Sequence, residues 1–118
     1  MDIAIASDLN YLPHAGTLIR SLCENNSANK LNFHLITMDS RVVTDERLDN
    51  FFRSILSSRV NAQVHLIGED NPFVKQIPEG GVILSRATYL RFLAPELISA
   101  DKILYLDCDM IVLDDLGS

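Results

Sequence analysis

The sequence predicts an α/β protein with a mostly parallel sheet and helices on both of its faces. Short apolar runs of strand length alternate along the chain with segments in which apolar residues recur every three or four positions. Such alternation is typical of β-α-β units, in which consecutive strands run parallel. The 118 residues, 47% of them hydrophobic, suffice for one domain with its own core.

The individual elements are assigned from apolar periodicity and from turn-forming residues. In chain order they are a strand at 2–7, a helix from Leu12 to the stop at Asn25-Asn26-Ser27, a strand at 33–38, a helix opening at Thr44, a strand at 62–67, a loop over 68–81, a helix at 85–93 that stops before Pro95, a strand at 103–106 and an extended piece at 110–113. Pro13 fits the first turn of the first helix, where its missing N–H costs nothing.

Two helices carry a predicted buried stripe. In the first helix it consists of Leu12, Ala15, Ile19, Leu22 and Cys23. In the second it consists of Leu48, Phe51, Phe52, Ile55 and Leu56. Thr44 is the predicted N-cap of the second helix, with Asp45 and Glu46 at the positive end of its dipole. The alternating strand at 62–67 is predicted to lie nearer an edge of the sheet.

Charge and targeting signals restrict the class of protein. The net charge of −6 argues against a nucleic-acid or anionic-membrane surface, since both need basic patches. The N-terminus lacks the basic start and long apolar core of a signal peptide. No apolar stretch approaches the roughly 20 residues of a membrane span. A cytoplasmic location is therefore predicted.

The cysteines and histidines give no metal or redox pattern. Cys23 and Cys108 match no C-x-x-C spacing, so two reduced thiols are predicted, with Cys108 filling the core. His14, His34 and His65 show no pair at metal-ligand spacing and are predicted to be structural.

Two aspartates one residue apart interrupt the apolar run LYLDCDMIVL at residues 104–113. Burying a bare carboxylate is costly unless a partner compensates it. At the end of a strand, Asp107 and Asp109 can turn toward one point, where two hard oxygen ligands suit Mg²⁺ or Mn²⁺. The ion would bridge to a diphosphate and stabilise the charge that develops as a nucleoside diphosphate departs. Solvation at the strand end, or capping of a turn, is the alternative for both carboxylates.

A second polar segment is predicted to lie at the same edge of the sheet. Asp8-Leu9-Asn10 and Asp107-Cys108-Asp109 each follow a predicted strand. The carboxyl ends of parallel strands meet at one edge, and ligands bind there. Asp8 and Asn10 are also good turn formers, which is the alternative for them.

Three blocks of the chain resemble family-8 glycosyltransferases, the retaining GT-A type that includes bacterial lipopolysaccharide galactosyl- and glucosyltransferases. The blocks read IAIASDLNY at 3–11, RATYLRFLAPELI at 86–98 and DKILYLDCDMIVLDDL at 101–116. They occur in the family's order and spacing and span almost the whole chain. The resemblance implies a GT-A, Rossmann-like fold.

The resemblance implies that the first block binds the nucleoside of a UDP-sugar. Ala6, Asp8 and Asn10 would hold the uracil and the ribose. Tyr11 would pack against the base; covering the start of the first helix is its alternative role.

The other two blocks would bind the rest of the donor. Ser85 and Thr88 would line the donor pocket, and Arg91 would reach the sugar or the diphosphate. Asp107 and Asp109 would form the D-x-D motif that binds Mn²⁺ (or Mg²⁺), with Asp107 also near the ribose.

The implied reaction transfers a hexose from UDP-galactose or UDP-glucose to a glycan or lipopolysaccharide hydroxyl, with retention at the anomeric carbon. No residue of the chain is a convincing nucleophile, so metal-assisted departure of UDP with front-face attack by the acceptor is expected. No nucleic-acid partner is expected, and peripheral membrane association is compatible with the full-length enzyme.

One feature of the family pattern is absent. The family's third metal ligand is a histidine in a His-x-x-Gly-x-x-Lys-Pro-Trp-like motif far downstream, and the chain ends at Ser118 without it. Residues 1–118 are therefore expected to form a single nucleotide-sugar-binding domain, the N-terminal part of a longer enzyme. This chain alone is expected to bind the donor weakly and to transfer little sugar. An uncovered sheet edge would favour a homo-oligomer.

Two other functions are compatible with the residues. A phosphatase of the haloacid dehalogenase type also carries D-x-D at a strand end, with the first Asp as phosphoryl acceptor and the second as general acid. Ile111 stands where that motif has Thr or Val. A non-catalytic nucleotide-binding or interaction domain is the other alternative.

Overall fold

The computed structural model of the chain describes residues 1–26, 28–68, 70–72 and 93–107. The elements in chain order are β1 Asp2–Ala6, α1 Leu12–Asn25, β2 Leu31–Thr37, α2 Ser40–Val43, α3 Glu46–Ile55, β3 Val60–Leu66, α4 Ala94–Leu97 and β4 Ile103–Tyr105. The four strands within the described residues lie within two residues of their predicted bounds. Among the described helices, none has the length and apolar character needed to cross a membrane.

The described strands form one parallel sheet in the order β3-β2-β1-β4. From β1 the chain adds β2 and then β3 on one side, and later returns to add β4 on the other side of β1. The strand order therefore reverses between β1 and β4. The mostly parallel sheet is confirmed, and β3 is an edge strand within the described sheet, as its alternating pattern predicted.

Helices pack on both faces of the sheet, as predicted. On the first face, α1, α2 and α3 join a core of Ile3, Ile5, Leu12, Ala15, Leu18, Ile19, Leu22, Leu31, Phe33, Leu35, Val42, Leu48, Ile55, Val60 and Leu106. On the second face, α4 and its flanks join a core of Ala4, Ala6, Ile36, Ile67, Leu93, Ala94 and Ile98. Alternate residues of β1 are thus buried on opposite faces, as expected for a central strand of a parallel sheet.

The predicted stripe of α1 is confirmed, since Leu12, Ala15, Ile19 and Leu22 are buried and Cys23 is half-buried. Pro13 lies in the first turn of the helix.

The C-terminal end of α1 is held by Arg59, the residue directly before β3. The last turn of α1 contains no basic residue. Arg59 brings a positive charge to this end of the helix, because its Nη1 donates to the carbonyl oxygens of Asn26 at 2.9 Å and Asn29 at 3.1 Å. Asn26 is the C-cap of α1, so the charge of Arg59 lies at the negative end of the helix, where a cation is stabilising.

The predicted start of the second helix is wrong by one residue. Asp45 is the N-cap of α3, and its side chain accepts a hydrogen bond from Leu48 N at 3.1 Å. Thr44 instead ends the four-residue helix α2, which the sequence did not predict. Its backbone angles (φ −100°, ψ 3°) differ from the extended conformation of Asp45 (φ −75°, ψ 118°), and N-cap residues adopt extended angles.

The predicted stripe of the second helix is wrong at its last position. Leu48 and Ile55 are buried, and Phe51 and Phe52 are half-buried against the core. Leu56 is 46% exposed, because α3 ends at Ile55 and the backbone of Leu56 is extended.

Pro95 lies in the first turn of a short helix, α4. The predicted helix at 85–93 lies outside the described residues except for Leu93, as do residue 69 and 73–81 of the predicted loop and the piece at 110–113.

Candidate functional site

Two polar segments follow neighbouring strands at the carboxyl edge of the sheet. Residues 7–11 connect β1 to α1, and Asp107 follows β4, which pairs with β1 from Asp2–Ile103 to Ala4–Tyr105. Leu106 N also donates to Ala4 O at 3.1 Å. The two segments therefore flank the position at which the strand order reverses, where ligands bind in open parallel sheets.

The segment after β1 is a hydrogen-bonded turn. Asp8 Oδ1 accepts from Tyr11 N at 3.0 Å, and Ser7 Oγ donates to Asp8 O at 2.9 Å. Ser7 N donates to Ile36 O on β2 at 3.0 Å. Asp8 therefore forms a turn, which was the alternative role given by its residue type. A carboxylate has a second oxygen, so this turn leaves Asp8 able to accept a further bond.

The exposure of this turn differs from residue to residue. Asn10 is exposed, Asp8 is half-buried, and the Tyr11 side chain is 53% exposed. The ring of Tyr11 is tilted against that of His14, with 5.9 Å between the centroids. Ala6 is buried in the core of the second face, so any contact between Ala6 and a ligand would use its backbone.

Asp39, which follows β2, joins this turn from the other side and was not predicted. Its Oδ2 accepts from Leu9 N at 3.2 Å. Arg41 binds both carboxylate oxygens, with Nε 2.9 Å from Oδ1 and Nη2 2.8 Å from Oδ2. The signal that could have found Asp39 is its position directly beyond the carboxyl end of a parallel strand.

These contacts set the charges at this edge of the sheet. The hydrogen bonds from Arg41, and after them the Leu9 and Arg41 amides, hold the pKa of Asp39 far below its usual 3.8. The same pair raises the pKa of Arg41, and the charge of Asp8 adds a smaller contribution. Both Asp39 and Arg41 are thus charged at neutral pH.

Asp107 is not buried, contrary to the prediction from its apolar neighbours. The sequence predicted that this carboxylate lies in a buried run, yet Asp107 is exposed and β4 ends before it, at Tyr105. Leu104, within the strand, is 37% exposed. A carboxylate in solvent needs no compensating partner, so the apolar flanks alone do not require a metal at Asp107.

Four predicted site residues lie outside the described residues: Ser85, Thr88, Arg91 and Asp109. Cys108, which was predicted to point into the core, also lies outside them. Within the described ranges no three His, Cys, Asp or Glu side chains are placed to hold a metal ion. Asp107 supplies one hard oxygen donor of the type that Mg²⁺ and Mn²⁺ prefer.

A groove of about 580 Å³ lies elsewhere, between α1 and α3. Its described lining includes Gly16, Arg20 and Phe51, and none of the described residues predicted for the donor site lines it.

The family model for Glycosyl transferase family 8 matches residues 2–118. The chain belongs to this family. Both polar segments at the carboxyl edge lie within the match.

Proteins of similar sequence are also glycosyltransferases. The chain is 30% identical to glycosyltransferase GlyA of Streptococcus pneumoniae serotype 4, over 97% of its own length and 15% of that protein. It is 30% identical to the lipopolysaccharide 1,2-glucosyltransferase of Escherichia coli K12, over 99% of its own length and 33% of that protein. The chain thus spans a third or less of both curated relatives.

The fold is that of the GT-A glycosyltransferases. A galactosyltransferase LgtC structure, solved in complex with donor and acceptor sugar analogs, matches with a TM-score of 0.73 and 25% identity. The match covers 98% of this chain and 40% of that one.

Proposed function

We propose that residues 1–118 form a single nucleotide-sugar-binding domain of a retaining hexosyltransferase that binds a UDP-sugar through a divalent metal. The observation that carries this proposal is the convergence of the turn after β1 with Asp107 at the edge where the strand order reverses. Family membership decides against the phosphatase alternative.

In this proposal the turn after β1 holds the nucleoside. Asp8 and Asn10 offer polar groups to the uracil and the ribose, and the exposed ring of Tyr11 offers a face to the base. Ala6 contributes through its backbone. The fixed turn supports this role, because a site that is already ordered pays less entropy when the ligand binds.

Asp107 and Asp109 are proposed as the protein ligands of Mn²⁺ or Mg²⁺. The exposed carboxylate of Asp107 fits such an ion by donor type and by its place beside β1. A divalent ion there would supply Lewis-acid stabilisation to the departing diphosphate. It would also oppose the net charge of −6, which disfavours an anionic ligand.

The donor and acceptor are proposed by analogy with the relatives. UDP-galactose or UDP-glucose is the proposed donor, and a glycan or lipopolysaccharide is the acceptor, as the name of the E. coli glucosyltransferase suggests. Ser85, Thr88 and Arg91 remain predictions for the donor pocket, and the cytoplasmic location remains a prediction. Because the chain spans 15% to 40% of these relatives, only donor binding is proposed for these residues, and transfer is proposed for the whole protein.

A thermal-shift titration with UDP, with and without Mn²⁺, tests the proposal. Ligand that binds only the folded state stabilises it by about 2.7 kcal/mol at 100 times the dissociation constant. We expect UDP to raise the melting temperature only when Mn²⁺ is present. Asp107→Asn should abolish this rise, whereas Asp101→Asn, an exposed aspartate before β4, should preserve it. No rise with UDP and Mn²⁺ would favour a non-catalytic interaction domain.

A further inference from the structure

We propose that Asp39 is a positioning residue for donor binding, which holds the turn after β1 in its ligand-binding conformation through the Leu9 amide. The inference rests on the proposed function, because it assigns a role within the same nucleotide site.

The carboxylate of Asp39 accepts four hydrogen bonds from two parts of the chain. Three come from Arg41, through N at 3.0 Å, Nε at 2.9 Å and Nη2 at 2.8 Å. The fourth comes from Leu9 N at 3.2 Å, across 30 residues of sequence. Asp39 therefore links the end of β2 to the turn after β1.

Asp39 is itself held firmly. Its backbone N donates to Thr37 Oγ1 at 3.0 Å, and Thr37 is fully buried at the end of β2. The bidentate pair with Arg41 fixes the plane of the carboxylate, because the guanidinium fork matches both of its oxygens. Its side chain is 14% exposed. The anchor thus has little freedom to follow a moving loop.

The bond to Leu9 acts on the residues that are proposed to touch the ligand. Leu9 lies between Asp8 and Asn10, so a fixed Leu9 amide restricts both neighbours. The hydrogen bond from Tyr11 N to Asp8 Oδ1 closes the same turn. Without Asp39, the Leu9 amide would lose this partner, and the turn would have to be ordered when the nucleotide binds, at the expense of affinity.

Arg41 reduces the electrostatic repulsion between the carboxylates of Asp8 and Asp39. Asp8 and Asp39 are both acidic, and a guanidinium that binds Asp39 and interacts electrostatically with Asp8 offsets their repulsion. Arg41 is a local cation at an edge of an otherwise acidic protein.

A second Asp-x-Arg pair provides a matched control. Asp45 also caps a helix, accepts from Leu48 N at 3.1 Å and pairs with Arg47 at 3.1 Å. Its carboxylate accepts hydrogen bonds from Arg47 and from Leu48 N, and it makes no contact with the described turn after β1 that matches the bond between Asp39 and Leu9. Asp39→Ala and Asp45→Ala therefore remove the same kinds of capping and ion-pair contact, and only the former removes the contact with Leu9.

The test measures UDP affinity by calorimetry in the presence of Mn²⁺, together with amide hydrogen exchange at Leu9. We expect Asp39→Ala to weaken UDP binding about tenfold, the factor that one charged hydrogen bond supplies, and to accelerate exchange at Leu9. Asp45→Ala should bind UDP within about twofold of the wild type, which is small beside one charged hydrogen bond.

A conservative variant guards against a failure of Asp39→Ala to fold. Asp39→Asn keeps the shape of the side chain but has one acceptor oxygen, which cannot serve both Leu9 N and Arg41 N. We expect a loss of about threefold, less than a full charged hydrogen bond. Wild-type affinity in both Asp39 variants, or an equal loss in Asp45→Ala, would overturn the inference alone. A wild-type chain that binds no UDP with Mn²⁺ would overturn the proposed function, and this inference with it.

Discussion

His34 and His65 are in direct contact on neighbouring strands, with Nδ1 of His34 3.1 Å from Nε2 of His65. Their rings are stacked, with 5.3 Å between the centroids. Nε2 of His34 also lies 3.1 Å from Asp2 Oδ1, so β1, β2 and β3 contribute one line of hydrogen-bonded side chains. The sequence predicted the histidines to be structural but did not predict this contact, because only the parallel pairing of β2 with β3 brings the two rings together.

This contact predicts that the protein is less stable in mild acid. Burial, and then the neighbouring His34, lower the pKa of His65 below 6.5. The unfolded chain therefore takes up a proton at this position at a higher pH than the folded chain does. The contribution of His65 to stability is complete above pH 6.5 and is lost as the pH falls toward the folded pKa.

Urea denaturation at pH 7.5 and pH 5.5 checks this prediction. His65→Gln should reduce the loss of stability between the two pH values by about 0.5 kcal/mol or less, because the partly exposed ring is screened by solvent. His14→Gln, at an exposed position, is the control. An unchanged loss in His65→Gln would contradict the assignment.

Arg59→Ala should destabilise the protein by about 2 kcal/mol. The substitution leaves the carbonyls of Asn26 and Asn29 without the charged donor that holds the end of α1, and hydrogen bonds to charged groups contribute about 1.5–3 kcal/mol. The control is Arg53→Ala, because the Arg53 side chain is 74% exposed and pairs with Asp49. That change should cost less than about 0.5 kcal/mol. Equal midpoints of urea denaturation for the two variants would show that Arg59 does not stabilise α1.

Leu22→Ala and Leu56→Ala should differ strongly in stability. Leu22 is fully buried, and replacing a buried leucine by alanine costs about 2–5 kcal/mol. Leu56 is 46% exposed despite its predicted place in the apolar stripe, so its replacement should cost less than about 1 kcal/mol. Chemical denaturation of both variants measures the difference. A loss of several kcal/mol in Leu56→Ala would show that Leu56 is buried, as the apolar periodicity predicted.

The sequence predicted the strands, their parallel arrangement and the main helices because apolar periodicity records burial directly. It was less reliable where an element ends. Thr44 and Asp45 are both good capping residues, and only the backbone angles decide that Asp45 caps α3 while Thr44 ends α2. Leu56 continues the apolar pattern, but it leaves the helical backbone and with it the buried face.

For the candidate site too, the sequence could predict some features and not others. The turn after β1 and the aspartate after β4 could be placed at one edge from the sequence, because the topology of parallel sheets determines where strands end. The exposure of Asp107 could not be predicted from the sequence, since apolar neighbours such as Leu104 do not guarantee a buried strand end. The contact of Asp39 with Leu9 could not be predicted either, because it depends on side-chain geometry between residues 30 positions apart.

The proposed metal-bound nucleotide site is tested most directly by locating Mn²⁺ through its paramagnetic broadening of assigned backbone amides, in the presence of UDP, with Mg²⁺ as the diamagnetic reference. We expect the strongest broadening at Leu9, Tyr11 and Asp107, and its loss in the Asp107→Asn, Asp109→Asn double variant. Broadening that is uniform, or strongest near Lys30 at the opposite edge of the sheet, would contradict a metal-bound nucleotide site beside β1 and β4.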